Sequence, residues 1–453
     1  MYFNNQSTGD FIMLKIGYAQ EIITPPVGVG LAGYFNERPN IGMYDDLFVK
    51  AVIMEKDGKS FGFLAFDLCS VAKPLFEELE KQIVAKFGQE FFNGLVISAT
   101  HTHTGSKFLD PESSDLLKLA FKYTVDGALR ALERAVLGLQ PGELEVGSVY
   151  NNPYGFVRRY WMKSGDIVTN PGWGNPDIDK PECDYDRTIG ILKIKQHGRT
   201  AALICNITNH GDTVGGSLVS ADWYGHFARE IQHRLKEGLP VLVLDDASGD
   251  INHFDFRQKI SQTSNAEACR IGRGYAEIVL NELDKLEKVE VEEVKINNSF
   301  VDVPHRKITP EELAEAKHTL ETVPDIKKEG DFESQDLANK VPAALRHFAQ
   351  RVINCHEKSV ASHPVRLTSI SLGKQLTFAT LPGEPFNGIG RAIREASSSK
   401  YTFIIELAQS VSGYVPMPEC FARGGYEVQA NVNSAAQNAA TVLIDASIAN
   451  LNK

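Results

Sequence analysis

From Lys15 onward, short β-rich runs alternate with helical patterns. LFVKAVIMEKDG and KSFGFLAFDLCS flank Asp57-Gly58, which predicts a hairpin turning at that pair. PLFEELEKQIVAKFG carries apolar residues at helical spacing and stops at Gly88, the pattern of an amphipathic helix. GLVISAT is a continuous apolar run, read as a buried strand, and LLKLAFKYTVDGALRALERAV predicts a long helix. The same rhythm returns later. IGILKIKQHG and TAALICNITN form a hairpin pattern, ADWYGHFAREIQHRLK a helix, PVLVLDD a strand and SNAEACRIGRGYAEIVLNELDKLE a further helix. VRLTSISLGKQLTFATLPG reads as another hairpin, followed by the helix GIGRAIREAS and a last helix in the segment from Ser434. Strand pairs alternating with helices predict an α/β fold: a mixed β-sheet core flanked by helices.

Two stretches break the rhythm. Residues 141–200 are rich in loops such as NNPYG, NPGWGNPD and DKPECDYD, and long loops in a packed domain often carry function. Residues 306–360 are charged and helical, and Pro310 followed by acidic residues makes a good helix start. We read this stretch as a helical insertion that shapes access to a site. Residues 1–13 read as a polar extension, and 14–453 as a single domain carrying the insertion. The sequence shows no internal repeat and no low-complexity tract.

Charge narrows the partners. A formal net charge of -11 argues against nucleic acid or an anionic membrane, and no basic stripe interleaves with aromatics. The six cysteines include no C-x-x-C pair, so they read as free thiols in a reducing compartment. The first residues lack a basic start followed by an apolar run, and no apolar stretch reaches the roughly 20 residues of a membrane span. The expectation is a cytoplasmic protein with no stable membrane anchor.

Four apolar runs end abruptly in residues that bind metals or move protons. GLVISAT runs into His101 and His103, AALICNITN into His210, VLVLDDASGD into Asn252 and His253, and LTFATLPG into Glu384. Ligands of open α/β sheets bind beyond the carboxyl ends of strands, so these ends suggest one shared site. The residue types favour a divalent metal, zinc first. His101 and His103, two apart, would share one face of an extended strand. Each residue also has an ordinary structural reading. His210 would serve equally as a satisfied turn histidine, and Glu384 as an acid at a helix N-terminus. Asp212 is placed to orient a ligating imidazole. Asp250 and His253 suit acid–base work or substrate binding. Arg158 and Arg159 suit clamping an oxyanion or carboxylate, against a reading as loop-surface arginines. Tyr414 and Tyr426 read locally as buried structural tyrosines.

Taken together, the segments resemble the neutral/alkaline ceramidase family of zinc amidohydrolases. The resemblance rests on TPP and GLAGY, DDLFVKAV, FDLCS, SATHTHTG, NHGDT with SAD, SGDIN, LPGEP, and SGYV with GGYE, in that order from about Ile16 to the 430s. It implies a Zn2+ ion held by His101, His210, Glu384 and Tyr414, with His103 near substrate and metal. It places an arginine-bearing loop at Arg158 or Arg159 without separating them. Two departures stand out. The family's serine in GDVSPN falls on Asn252 here, with His253 in place of proline. The chain also ends soon after GGYE, as in a single-domain branch of the family. The reading that follows is a zinc-dependent hydrolase cleaving an amide bond in a small-molecule substrate, either an N-acyl compound or a polar amide or ester. His103 would act as acid and base, Asp250 and Asn252 would orient substrate, and Arg158 or Arg159 would bind a carbonyl or anionic group. Tyr414 would be a fourth ligand or stabilise the oxyanion, and Tyr426 completes the expected catalytic set. An insertion without a membrane-grade apolar stretch favours a soluble substrate. The competing readings are an esterase of the same fold, a non-catalytic ligand-binding protein that keeps the pocket, and a metal-free hydrolase pairing Asp250 with Glu384.

Overall fold

In the computed structural model, β1 (Lys15–Ile22) runs antiparallel to β2 (Phe48–Lys56), pairing Ile16 with Met54 and Ile22 with Phe48. The structure describes residues 13–34, 38–326, 341–358, 360–409, 413–430 and 432–453, so nearly all of the expected polar extension lies outside it. β2 turns at Asp57-Gly58 into β3 (Lys59–Phe66), and both turn residues take positive φ, 52° and 77°. Such a turn matches the twist of a hairpin. Helix α1 (Lys73–Phe87) then crosses to β4 (Leu95–Ala99), which pairs parallel with β3. Helix α2 (Asp115–Leu137) follows, its first turn capped by the Ser114 side chain accepting from Leu117 N–H.

The second sheet repeats this plan. β5 (Glu143–Tyr150), β6 (Thr188–Gln196) and β7 (Arg199–Ile207) form an antiparallel meander. Helix α3 (Asp222–Leu235) leads to β8 (Val241–Asp245), parallel to β7, and α4 (Asn265–Leu280) packs beside α3. The third sheet begins with β9 (Val294–Pro304), an 11-residue strand that the sequence pattern did not announce because most of its positions are only partly buried. At its end the chain makes the helical excursion, α5 (Pro310–Thr322) and α6 (Pro342–Glu357), and returns as β10 (Ser362–Leu372). α5 starts with a capping box between Thr309 and Glu312. β11 (Leu376–Thr380), helix α7 (Asn387–Ala396) and β12 (Tyr401–Ile405) close the sheet, with β12 parallel to β11 and α8 (Ala439–Leu451) outside.

The fold is mixed α/β, as expected. The single sheet core divides into three sheets of one strand order, each an antiparallel meander joined by a helix to a parallel fourth strand. The repeat lies in topology, where a search for similar residues does not find it. Strand alternation explains how the sheets combine. Val52 and Met54, Ala202 and Ile204, Ile370 and Phe378 point into one shared core. Their neighbours Ala51 and Ile53 meet α1 and α2, Leu203 and Cys205 meet α3 and α4, and Leu367 and Ala379 meet α7 and α8. Phe378 sits 4.7 Å from Phe63 and 5.4 Å from Phe403, ring to ring, bridging two sheets. Truncating such a ring to alanine costs about 3–5 kcal/mol. No helix among the described residues is long and apolar enough to cross a membrane.

Candidate metal centre and substrate chamber

Each sheet sends one donor past a strand end to the same point. β4 ends at Ala99, and His101 and His103 follow; β7 ends at Ile207, and His210 follows; β11 ends at Thr380, and Glu384 follows. His101 takes φ 68°, so the His-Thr-His run is not the extended segment expected. A left-handed non-glycine residue costs on the order of 1–3 kcal/mol and persists where its surroundings enforce it. Here the Thr102 and Thr104 hydroxyls both donate to the Ser220 carbonyl, at 2.6 and 2.9 Å. Gly211 completes the turn: a Cβ there would lie 2.6 Å from the His101 carbonyl oxygen. Gly33, at φ +87°, faces the His103 ring, and a Cβ would come within 2.3 Å of its Cγ.

The donors converge. His101 Nε2 lies 3.0 Å from His210 Nε2 and 3.2 Å from His103 Nε2. Glu384 Oε2 lies 3.5 Å from His101 Nε2 and 3.9 Å from His210 Nε2. His101 Nδ1 meets the Cys69 carbonyl at 2.8 Å. A carbonyl only accepts, so Nδ1 carries a proton and Nε2 is the ring atom that points into the cluster. Glu384 Oε2 is buried and has no hydrogen-bond donor. Two imidazole nitrogens and an unsatisfied carboxylate oxygen around one point fit a divalent metal ion. His210 is positioned through its backbone: Trp223 Nε1 donates to its carbonyl at 2.9 Å, and its N–H donates to Asn209 Oδ1.

Electrostatics agree with the donor set. Burial, reinforced by the charge on His101, pushes His210 down and His103 down to about 3, so both rings are neutral. Burial would raise Glu384, but His101, helped by Arg158, outweighs it and holds the carboxyl well below its usual range. Burial would lower His101, yet Cys69 and Glu384 prevail and favour its protonated form.

Tyr414 is the direct register partner of Glu384 in a short parallel strand pair, Glu384–Pro385 against Tyr414–Val415. Its ring lies 4.8 Å under the Arg158 guanidinium and 6.0 Å from the Tyr426 ring. Burial pushes both phenols upward despite Arg158, so both are neutral donors here. The two arginines separate. Arg159 is fully buried and spends its fork on Glu182, Glu427 and the Gly424 carbonyl. Arg158 gives Nε to Glu427 at 2.8 Å and keeps a buried Nη2 with no partner, at the wall of a chamber.

The SGDIN residues lie behind that wall. Asp250 Oδ1 accepts the Asn387 N–H at 2.7 Å at the start of α7, and burial lifts its pKa to about 6. Asn252 donates to Asn170 Oδ1 at 2.9 Å, and it is Asn170 that faces the chamber. Neither Asp250 nor Asn252 lines the space where they were expected to orient substrate. Asp212 does not hold a ligating ring. It lies 3.0 Å from His253 Nδ1, while His253 Nε2 meets the Gln262 carbonyl at 2.9 Å. Glu427 was missed. It sits in the quoted GGYE motif, fully buried, and only the fold shows that it holds both arginines and the Thr169 hydroxyl. Asn170 and Phe348 also carried no signal, since one lies in a loop and the other on a helix far along the chain.

The chamber measures about 1690 Å3 and opens on His103, His210, Arg158, Tyr414 and Tyr426. One side carries Trp173, Phe254 and Phe256; the helical excursion supplies Ala316, Leu345, Phe348 and Val352. Phe348 lies 6.3 Å from the Tyr426 ring, so the insertion reaches the Tyr414–Tyr426 side of the chamber.

Fold and site define an α/β protein with a buried His/His/carboxylate cluster, of a kind that could hold a metal ion, beside a large chamber with aromatic walls. Residues 14–235 match the N-terminal model of the neutral/alkaline non-lysosomal ceramidase family. The likeness extends further. The chain is 24% identical to the neutral ceramidase of Pseudomonas aeruginosa over 475 aligned positions, spanning 92% of this chain and 69% of that protein. The crystal structure of neutral ceramidase from Pseudomonas aeruginosa superposes with a TM-score of 0.71 at 18% identity, covering 98% of this chain and 74% of that one. A ceramidase structure complexed with C2 gives 0.69 at 17% identity, covering 97% and 75%. These structures share the fold.

Proposed function

We propose that the protein is a zinc-dependent hydrolase that cleaves the amide bond of an N-acyl substrate with a long apolar chain. The observation that carries this reading is the convergence of His101 Nε2, His210 Nε2 and the unsatisfied Glu384 Oε2 on one point, reached from the chamber through His103 and His210 in its wall. The relatives support the reaction class, since a ceramidase is named for a lipid amide. The chamber supports the substrate class: its apolar length and aromatic walls suit an acyl chain, against the soluble polar substrate favoured by the composition of the insertion. His101, His210 and Glu384, with Tyr414 beside them, would hold a zinc ion, which would supply Lewis acidity to the scissile carbonyl.

The chain's own groups divide the remaining work. His103 lies at the chamber wall with Nε2 3.2 Å from His101 Nε2, a position from which its ring could relay a proton to the leaving amine. Arg158 Nη2 and the phenols of Tyr414 and Tyr426 are donors for the carbonyl oxygen as charge develops on it. The aromatic and helical walls exclude water along the acyl chain. Asp250, bonded to the backbone of α7, keeps that helix in place and is not available for a two-carboxylate mechanism with Glu384.

The test pairs metal analysis with turnover. Elemental mass spectrometry of purified protein should find about one zinc per chain, lost in His210→Ala. A fluorescent long-chain N-acyl amide should be hydrolysed by the wild type and spared after chelation. Metal retained without turnover of any amide or ester would replace this reading with that of a binding protein. Turnover that survives complete metal removal would sink the metal mechanism.

A further inference from the structure

A second cavity, of about 320 Å3, lies between the helical insertion and the C-terminal loop. Arg351 and Asn354 on α6 and Lys358 at its C-terminal end line one side. Their spacing of three and four places them on one helix face. His305 and Arg306, just past β9, line the other side together with Asn433. Every charged side chain lining this cavity is basic, and no carboxylate faces it among the described residues. Glu312, the partner of Arg306, lines the larger chamber instead.

Asn433 gives an independent sign of a ligand. It is only 3% exposed, and its Oδ1 accepts the Ala435 N–H at 2.7 Å. That bond fixes the amide's orientation and leaves Nδ2, a buried donor, without an acceptor. A buried donor left unsatisfied loses its water partners and gains nothing in exchange. An oxyanion brings several acceptors and the charge that arginine and lysine complement.

We propose that this cavity binds a small oxyanion, a phosphate or carboxylate, held by Arg351, Lys358 and Asn433 Nδ2. Arg306 and Ala430 line both this cavity and the substrate chamber, so the bound anion ties α6 to the C-terminal loop beside the acyl-binding wall. The site is separate from the metal cluster and does not depend on the proposed hydrolysis.

Calorimetric titration of inorganic phosphate into the full chain, with acetate in a parallel arm and ionic strength held constant, tests it. One saturable site is expected for at least one of the two anions, retained in His210→Ala. Affinity should fall by about tenfold or more in Lys358→Glu, as expected for a lost charge-assisted contact. Asn433→Asp should weaken binding similarly, because it keeps the acceptor for Ala435 N–H and replaces the free donor with negative charge. Lys358 is exposed, so its variant keeps the fold and protects the test against misfolding at Asn433. No saturable binding of either anion, binding unchanged in both variants, or binding lost only in His210→Ala would overturn the proposal.

Discussion

Arg158 and Arg159 hold the two oxygens of Glu427 between them, through Arg158 Nε at 2.8 Å and Arg159 Nη1 at 2.6 Å. Only Arg158 keeps a free edge toward the chamber. Neighbouring identical residues therefore have different expected phenotypes. Arg158→Lys should keep the charge near Glu427 but lose the directed Nη2 donor, lowering kcat by on the order of a hundredfold with little loss of stability. Arg159→Ala should leave Glu427 with Arg158 alone and the buried carboxylate of Glu182 with only the more distant Arg423, lowering stability by about 3 kcal/mol. Turnover of a long-chain N-acyl amide and urea denaturation, run on both variants, separate the two roles. Equal loss of turnover at unchanged stability in both would contradict them.

The insertion should act on chain length. Phe348 reaches over the chamber from α6 and approaches Tyr426. Phe348→Ala removes an apolar wall, so KM should rise about tenfold for long acyl chains. Short-chain substrates, which do not reach the wall, should be unaffected. A uniform change across chain lengths would place Phe348 outside the acyl path.

Metal binding should stabilise the fold. Glu384 and the two histidines come from three sheets, so an ion that bridges them binds only the folded chain. Zinc at a hundredfold excess over its Kd should add about 2.7 kcal/mol, visible as a higher Tm, and chelation should reverse it. Glu384→Gln should abolish most of the gain. Because a proton on His101 competes for the same position, the gain should shrink as pH falls. A Tm indifferent to zinc in the wild type would count against the centre.

Below the cluster, Glu406 is fully buried and accepts from Ser248 N–H and Oγ. Burial lifts its pKa from 4.5 to about 8. A carboxyl raised in the folded state contributes stability that is fully present below the unfolded value, near pH 4.5. That contribution is lost as pH rises through the folded value near 8. Each tenfold change in proton affinity corresponds to about 1.4 kcal/mol. Glu406→Gln, fixed in the neutral form, should therefore gain stability relative to the wild type between pH 5 and pH 8. Urea midpoints measured across that range check it, and parallel curves for the two proteins would refute it.

Much of this molecule was legible in one dimension. The hairpin at Asp57-Gly58, the stop of α1 at Gly88, the buried strand at Leu95–Ala99 and the start of α5 at Pro310 all stand where local pattern places them. Turn chemistry, capping and periodicity are properties of neighbouring residues, so sequence alone carries them. The abrupt endings at His101, His210 and Glu384 were legible for the same reason: an apolar run that stops at a metal-ligating side chain is a local event. Tertiary structure decided what depends on distant residues. It split one expected sheet into three around a shared core, because side-chain alternation says which face is buried but not what it is buried against. It separated Arg158 from Arg159, sent Asp250 to the start of α7 and paired Asp212 with His253. It also carried Phe348 to the chamber from a helix far along the chain. A polar side chain takes whichever buried partner the packed chain brings within about 3 Å, and that distance is set by the whole fold.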